Sequence, residues 1–235
     1  ITPSPKTVLA RITPATELDA ARDADLFFEA VPDIVHVKQE IFRALDQCCK
    51  PSACFASNTS TIPIHILAEV TNRPERIVGT HFFFPVPLNP LLELIPSPVT
   101  SAETLTLFRD LCESFGKYII HVKKDIPGFI MNRVFGAMTC EAIRLVEKGI
   151  CTVEDVDRGL TTGYGMIQGP LAKADMAGLD ICLLAFSHIY EMDKNEALRP
   201  PELLVKLVKE GHYGMKSRQG FYHYDESGKP TGPAV

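Results

Sequence analysis

An α/β domain followed by a helical domain is the architecture that the 235-residue sequence predicts, on three observations. Up to Val122, short apolar runs alternate with stretches of helical period, the pattern of α/β construction. Lys123-Lys124-Asp125-Ile126-Pro127-Gly128 then interrupts both periods and marks a boundary. Beyond it the apolar residues recur at helical spacing, and no comparable β-run follows until the aromatic tail Phe221-Tyr222-His223-Tyr224. The expected domains are residues 1–124 and 125–235.

Taken in order, residues 8–12 read as a short strand and 16–24 as a small helix. Residues 26–30 read as a buried strand, and Pro32-Asp33 opens a helix over 34–48 with Val37, Ile41, Phe42 and Leu45 on one face. A strand over 53–56 runs into the polar turn Ser57-Asn58-Thr59-Ser60, a helix covers 64–70, and strands follow at 77–81 and 91–95. Ser101 caps the next helix, and Glu103 suits its positive N-terminal end. A strand over 118–122 closes the series. In the second part, helices are expected over 129–148, 153–160, 171–190 and 201–209.

Composition narrows the function classes. Hydrophobic residues are 46% and charged residues 23%, which argues for a packed core and against a disordered tail. No apolar run reaches the roughly 18–20 residues that cross a bilayer, so no membrane partner is expected. Twenty-four basic against 29 acidic side chains give a net charge of −5, without the basic surplus of a nucleic-acid-binding domain. The seven cysteines are odd in number and form no CxxC pair, which points to thiols in a reducing compartment and away from a disulfide framework or a zinc site; the cytoplasm is the expected location, with the mitochondrial or peroxisomal matrix as alternatives. Residues 1–10 lack the basic and apolar regions of a secretory signal, and residues upstream of Ile1 are expected because the chain starts with Ile rather than Met.

The segment most informative about chemistry is Gly79-Thr80-His81-Phe82-Phe83-Phe84-Pro85-Val86-Pro87, followed by Leu91-Leu92-Glu93-Leu94-Ile95. His81 ends an apolar strand where the chain enters a proline-stiffened loop, and such strand ends border the ligand crevice of open α/β sheets. Glu93 is alone among Leu and Ile, where a carboxylate is costly unless paired. An imidazole is its natural partner, since the carboxylate fixes the tautomer and makes the ring a usable proton acceptor. The residues alone admit both a structural and a catalytic reading of His81. Ser57-Asn58-Thr59-Ser60 can bind a hydroxyl or an amide, but its spacing favours a cap for the 64–70 helix. Asn132 falls one turn into the helix that Gly128 opens, and by itself says little.

In this order the segments resemble the L-3-hydroxyacyl-CoA dehydrogenase family. The matching stretches are Phe28-Glu29-Ala30-Val31, Ala56 to Ser60, Gly79 to Pro87 with Glu93, and Pro127 to Arg133. Gly169-Pro170-Leu171 with Asp175, Gly178-Leu179-Asp180 and Gly220-Phe221-Tyr222 continue the match. The resemblance implies a partial Rossmann-like, doubly wound domain followed by an all-helical dimerisation and substrate domain. It implies NAD as cofactor, an acyl-CoA substrate, a homodimer, and a place in fatty-acid β-oxidation or butanoate metabolism. His81 is then the base that takes the proton of the substrate 3-hydroxyl, and Glu93 its orienting partner. Ser60 contacts substrate and nicotinamide, and Asn132 positions the substrate. Asp33, Lys38 and Lys216 fall on cofactor positions.

Two departures stand out. No GxGxxG turn occurs, so the pyrophosphate-cradling part of the family's first βαβ unit is missing. A polypeptide starting at Ile1 is therefore expected to bind NADH weakly and to leave the 26–30 strand with an unpaired edge, while its helical domain still folds. Phe84 stands where the family usually has Asn, which removes a hydrogen-bonding group and adds bulk. Two other readings are a dehydrogenase of a different 3-hydroxy acid, as in the lambda-crystallin relatives, and a non-catalytic dimerising remnant.

Overall fold

The computed structural model describes residues 4–235. The chain divides into two compact units: residues 1–59 with 64–124, and residues 60–63 with 125–235.

The first unit opens with α1 (Pro5–Leu9), β1 (Leu26–Glu29), α2 (Val35–Cys48), β2 (Cys54–Ser57) and α3 (Ile64–Ala68). It continues with β3 (Ile77–Phe82), β4 (Leu91–Pro96), α4 (Ala102–Ser114) and β5 (Tyr118–His121). The strands form one sheet in the order β1-β2-β3-β4-β5. β1, β2 and β3 pair in parallel, β4 runs antiparallel to β3, and β5 is parallel to β4. The reversal has a simple cause: the link from Phe82 to Leu91 is shorter than the dozen or so residues of a parallel crossover. Both faces of the sheet are covered. Phe55 meets Phe42 of α2 on one side, while Ala56, Val78 and Leu94 cluster with Phe108 of α4. That double burial is why these strands read as continuous apolar runs rather than alternating ones.

One expected element of the first unit is corrected. Residues 8–12, expected as a strand, belong to the short helix α1 and the turn after it. Ser4 caps that helix by accepting from the Thr7 N–H, and Pro5 occupies its first turn, so the capping signals outweigh the β-branched residues. By contrast Ser101 does cap α4, accepting from the Thr104 N–H at 3.1 Å.

The second unit contains α5 (Met131–Glu147), α6 (Val153–Tyr164), α7 (Pro170–Ala177), α8 (Leu179–Asp193) and α9 (Glu202–Lys209). β6 (Tyr222–Tyr224) then pairs antiparallel with β7 (Pro230–Pro233), so a small two-stranded ribbon joins the helices. The single helix expected over 171–190 is two helices. Gly178 sits between them at φ 101°, a conformation that ends α7 and that L side chains rarely adopt. Among the described residues, no helix is long and apolar enough to cross a membrane.

Two buried aspartates organise this unit. Asp157 accepts from the Leu171 and Ala172 N–H groups, each at 2.9 Å, and from the Tyr222 hydroxyl at 3.0 Å. It thereby supplies, from α6, the N-terminal cap that Gly169 cannot give to α7. Asp175 accepts from the Phe221 and Tyr222 N–H groups and from the Tyr224 hydroxyl. Burial pushes the Asp175 carboxyl up to about 6, against the opposing pull of those three donors. The folded chain therefore holds this proton to a higher pH than the unfolded chain does. Stability from this group is complete below about pH 4 and is lost as pH rises to about 6. Chemical denaturation of wild type and Asp175→Asn across that window should show wild type losing about 2–3 kcal/mol relative to the variant. A pH-independent difference would show that Asp175 is not the titrating group.

Candidate active site

The register of β3 against β4 sets His81 directly opposite Glu93. Residues opposite each other in an antiparallel pair project to the same face with Cβ atoms about 5 Å apart, so imidazole and carboxylate meet without backbone distortion. The His81 Nδ1 to Glu93 Oε2 distance is 2.7 Å. His81 is 5% exposed and Glu93 0%. The carboxylate oxygen accepts from the Nδ1–H, and in a neutral imidazole held this way Nε2 is the acceptor nitrogen, the arrangement of an oriented base. The Phe83 ring lies 4.5 Å from the imidazole, centroid to centroid, and backs it on the loop side.

A second cluster gathers at the carboxyl ends of β1 and β2. Glu29, the last residue of β1, accepts from the Val31 N–H at 2.6 Å and from Lys38 Nζ at 2.7 Å through Oε1, and from the Ser57 hydroxyl at 2.6 Å through Oε2. Lys38 also donates to the Val31 carbonyl at 3.0 Å and lies 3.6 Å from Asp33 Oδ1. Asp33 in turn accepts from the Thr59 hydroxyl at 2.5 Å. Lys38 is thus 1% exposed and held from below, whereas the Asp33 carboxylate is 20% exposed. The capping role expected of the 57–60 turn gives way, at Ser57 and Asn58, to strand-end bonding. Ser57 serves Glu29, and Asn58 Oδ1 accepts from the Phe82 N–H at 3.0 Å.

The remaining candidates belong to the second unit. Asn132, in the first turn of α5, donates to the Ser60 carbonyl at 2.8 Å, so the asparagine fixes the segment that carries the serine. The Phe129 backbone at φ 50° and Gly128 at φ 72° make the tight entry that starts this helix. Lys216 is ion-paired with Asp180 of α8 at 2.6 Å, with its ammonium 5.4 Å from the Tyr213 ring centroid. Phe84 is 90% exposed and fills no core.

Sequence reasoning assigned no role to Glu29 or Asp180. The signal for Glu29 was the one that picked out Glu93, an acid on an apolar strand, but here the strand's last residue reads equally well as the start of a loop.

The family descriptions "3-hydroxyacyl-CoA dehydrogenase, NAD binding domain" and "3-hydroxyacyl-CoA dehydrogenase, C-terminal domain" match residues 2–126 and 128–224. A probable 3-hydroxybutyryl-CoA dehydrogenase of Bacillus subtilis is 42% identical over 94% of this chain and 77% of its own length. The mitochondrial hydroxyacyl-coenzyme A dehydrogenase of Sus scrofa is 39% identical over 89% of this chain and 68% of its own length. The crystal structure of (S)-3-hydroxybutyryl-CoA dehydrogenase from Ralstonia eutropha matches with a TM-score of 0.88 at 37% identity, covering 94% of this chain and 78% of that one.

Glu93→Ala should cost about 1–3 kcal/mol in urea unfolding, because it leaves a buried imidazole N–H without its acceptor. Glu93→Gln, whose amide oxygen can still accept from Nδ1, should recover most of that loss. Equal losses in both variants would mean that packing, and not the hydrogen bond, sets the cost.

Proposed function

The chain belongs to the 3-hydroxyacyl-CoA dehydrogenase family, and from that premise we propose that it interconverts the 3-hydroxyl and 3-keto forms of a 3-hydroxyacyl-CoA with NAD. The observation that carries this reading is the 2.7 Å His81–Glu93 pair, buried at the end of an apolar strand. NAD, when bound, supplies the hydride acceptor. His81 Nε2 takes the proton of the 3-hydroxyl as the hydride leaves C3, and returns it in the reduction direction. Glu93 holds the ring in the reactive tautomer and stabilises the imidazolium that forms. Ser60 offers its hydroxyl to the substrate oxygen and the cofactor, and Asn132 holds Ser60 in place through the carbonyl bond.

Residues 1–124 are assigned to the cofactor and residues 125–235 to substrate binding and dimerisation. Asp33, Lys38 and Lys216 take the cofactor side. The carboxyl ends of parallel strands are where open α/β sheets receive dinucleotides, and the partly exposed Asp33 carboxylate there can accept from ribose hydroxyls or an amide. The acyl-CoA substrate class agrees with the relatives' names, 3-hydroxybutyryl-CoA dehydrogenase among them. The odd set of seven cysteines supports a reducing compartment, the cytoplasm. His81→Gln should lower kcat for acetoacetyl-CoA reduction by about 10²-fold or more while leaving the fold intact. A kcat near that of wild type would remove His81 from the mechanism.

The homodimer is proposed on α7 and α8, which expose Met176, Ile181, Leu184 and Met192. Ile181, Leu184 and Met192 recur at helical spacing along one side of α8, and a self-complementary pairing would bury them. Light scattering at micromolar concentration should give a dimer mass for wild type and a monomer mass for Leu184→Glu. A monomeric wild type would overturn the assignment.

A further inference from the structure

Cys48 and Cys49 are adjacent thiols at the carboxyl end of α2, with their Sγ atoms 3.6 Å apart. Cys48, the last helical residue, is half-buried, and Cys49, where the helix passes into extended backbone, is 6% exposed. The backbone around them is clamped. Arg73 donates to the carbonyls of Lys50 at 2.6 Å, Asp46 at 2.7 Å and Cys49 at 3.5 Å, and through Nε to the Asp46 carboxylate at 2.7 Å. The Cys49 N–H is held by the Leu45 carbonyl at 3.0 Å. The fold thus brings the two sulfurs together before any ligand arrives, and a ligand that takes both has little ordering left to supply. Along α2 the pair lies about 15 Å from Lys38 by helical rise, away from the strand-end site described above.

Geometry limits what this pair can bind. The Cys48–Cys49 peptide is trans, so the Cα atoms are about 3.8 Å apart, below the usual disulfide minimum of about 4.4 Å. A direct S–S bond is therefore strained. A single soft atom bonded to each sulfur at about 2.3 Å, the length of a zinc–thiolate bond, bridges the observed gap at an angle of about 103°. A linear two-coordinate ion such as Cu(I) would need sulfurs about 4.6 Å apart on the same bond length. A tetrahedral metal needs further ligands, and no group of three or more His, Cys, Asp and Glu side chains is placed to hold one among the described residues. The centre that fits takes two sulfurs, is bent at them, and brings its own third substituent.

We propose that Cys48 and Cys49 form a chelating dithiol site for monosubstituted trivalent arsenicals. Condensation with R–As=O balances without any change of oxidation state. Two S–As bonds form, the As=O bond and two S–H bonds break, and the oxygen leaves with both thiol protons as water. Cys48, the more accessible thiol, reacts first, and Cys49 closes the ring. Burial pushes the Cys49 thiol up to about 12, so it waits protonated and gives up its proton in the closing step. The other thiols are worse placed: Cys54, Cys112, Cys140 and Cys182 are buried, and half-buried Cys151 belongs to the other unit.

The test is mass spectrometry of the folded full chain treated with phenylarsine oxide and then with excess 2-mercaptoethanol, which strips adducts held by one sulfur. Wild type should retain one phenylarsenic group, removable by dithiothreitol, and peptide mapping should place it on Cys48–Cys49. In Cys48→Ser and in Cys49→Ser the concentration for half-occupancy under the monothiol should rise about 100-fold or more, the scale of a lost second attachment. Cys151→Ser should match wild type. Absence of a monothiol-resistant adduct on wild type, or its persistence in both Cys48→Ser and Cys49→Ser, overturns the proposal. Circular dichroism follows folding, and if Cys49→Ser does not fold, Cys48→Ser at the half-buried position decides alone.

Discussion

The antiparallel register between Ile77–Phe82 and Leu91–Pro96 is the constraint on which the rest of the first unit's chemistry depends. Strand side chains alternate with a period of two, so a slip of one residue would turn His81 to one face and leave Glu93 on the other. The carboxylate would then lie unpaired in a core lined by Leu92 and Leu94, at a cost of several kcal/mol. The pair therefore locks the register as firmly as the register creates the pair. Apolar residues on both faces give little preference between neighbouring registers by themselves, because this sheet is covered on both sides. The buried charge supplies the discrimination.

The same logic recurs at three other buried acids. Glu29, Glu93, Asp157 and Asp175 are almost wholly removed from water, and each accepts from a side chain or backbone group on a distant element. A buried polar group that loses its partner costs more than the bond contributes when made. These four acids thus specify arrangement more than they add stability. Asp157 ties α6 to the start of α7 and to β6, and Asp175 ties α7 to the chain around β6. The small ribbon at the end of the chain is held by acids and not by sheet size, since two strands alone are marginal in water.

How far the sequence carries is clearest at particular residues. The strands around Phe55, Val78 and Leu94 were legible because uninterrupted apolar runs between turn signals have few other readings. The boundary at Pro127-Gly128 was legible because those residues stop both periodicities. Residues 8–12 were misread because β-propensity at Val8 and Ile12 is a weak prior that Ser4 and Pro5 override. Residues 171–190 were misread because glycine within an apolar stretch is tolerated in a helix, and only its backbone angle shows that Gly178 breaks it. The partner of Tyr222–Tyr224 could not be read, since Pro230-Thr231-Gly232-Pro233 carries no strand signal.

The sequence by itself determined the order of the five strands of the first unit, the family, and the residue types that could act as base, acid partner and hydrogen-bonding groups. Those follow from local pattern: apolar periodicity, turn residues, and polar residues set in apolar runs. Only the tertiary structure decided which polar groups meet. Lys38 could have faced solvent along its helix, and it lies instead on Glu29, the last residue of β1. Asn132 could have been solvated, and it holds the Ser60 carbonyl. Such pairings join residues far apart in the chain, and they are selected by the desolvation cost of every alternative, a quantity that exists only once the chain has closed around them.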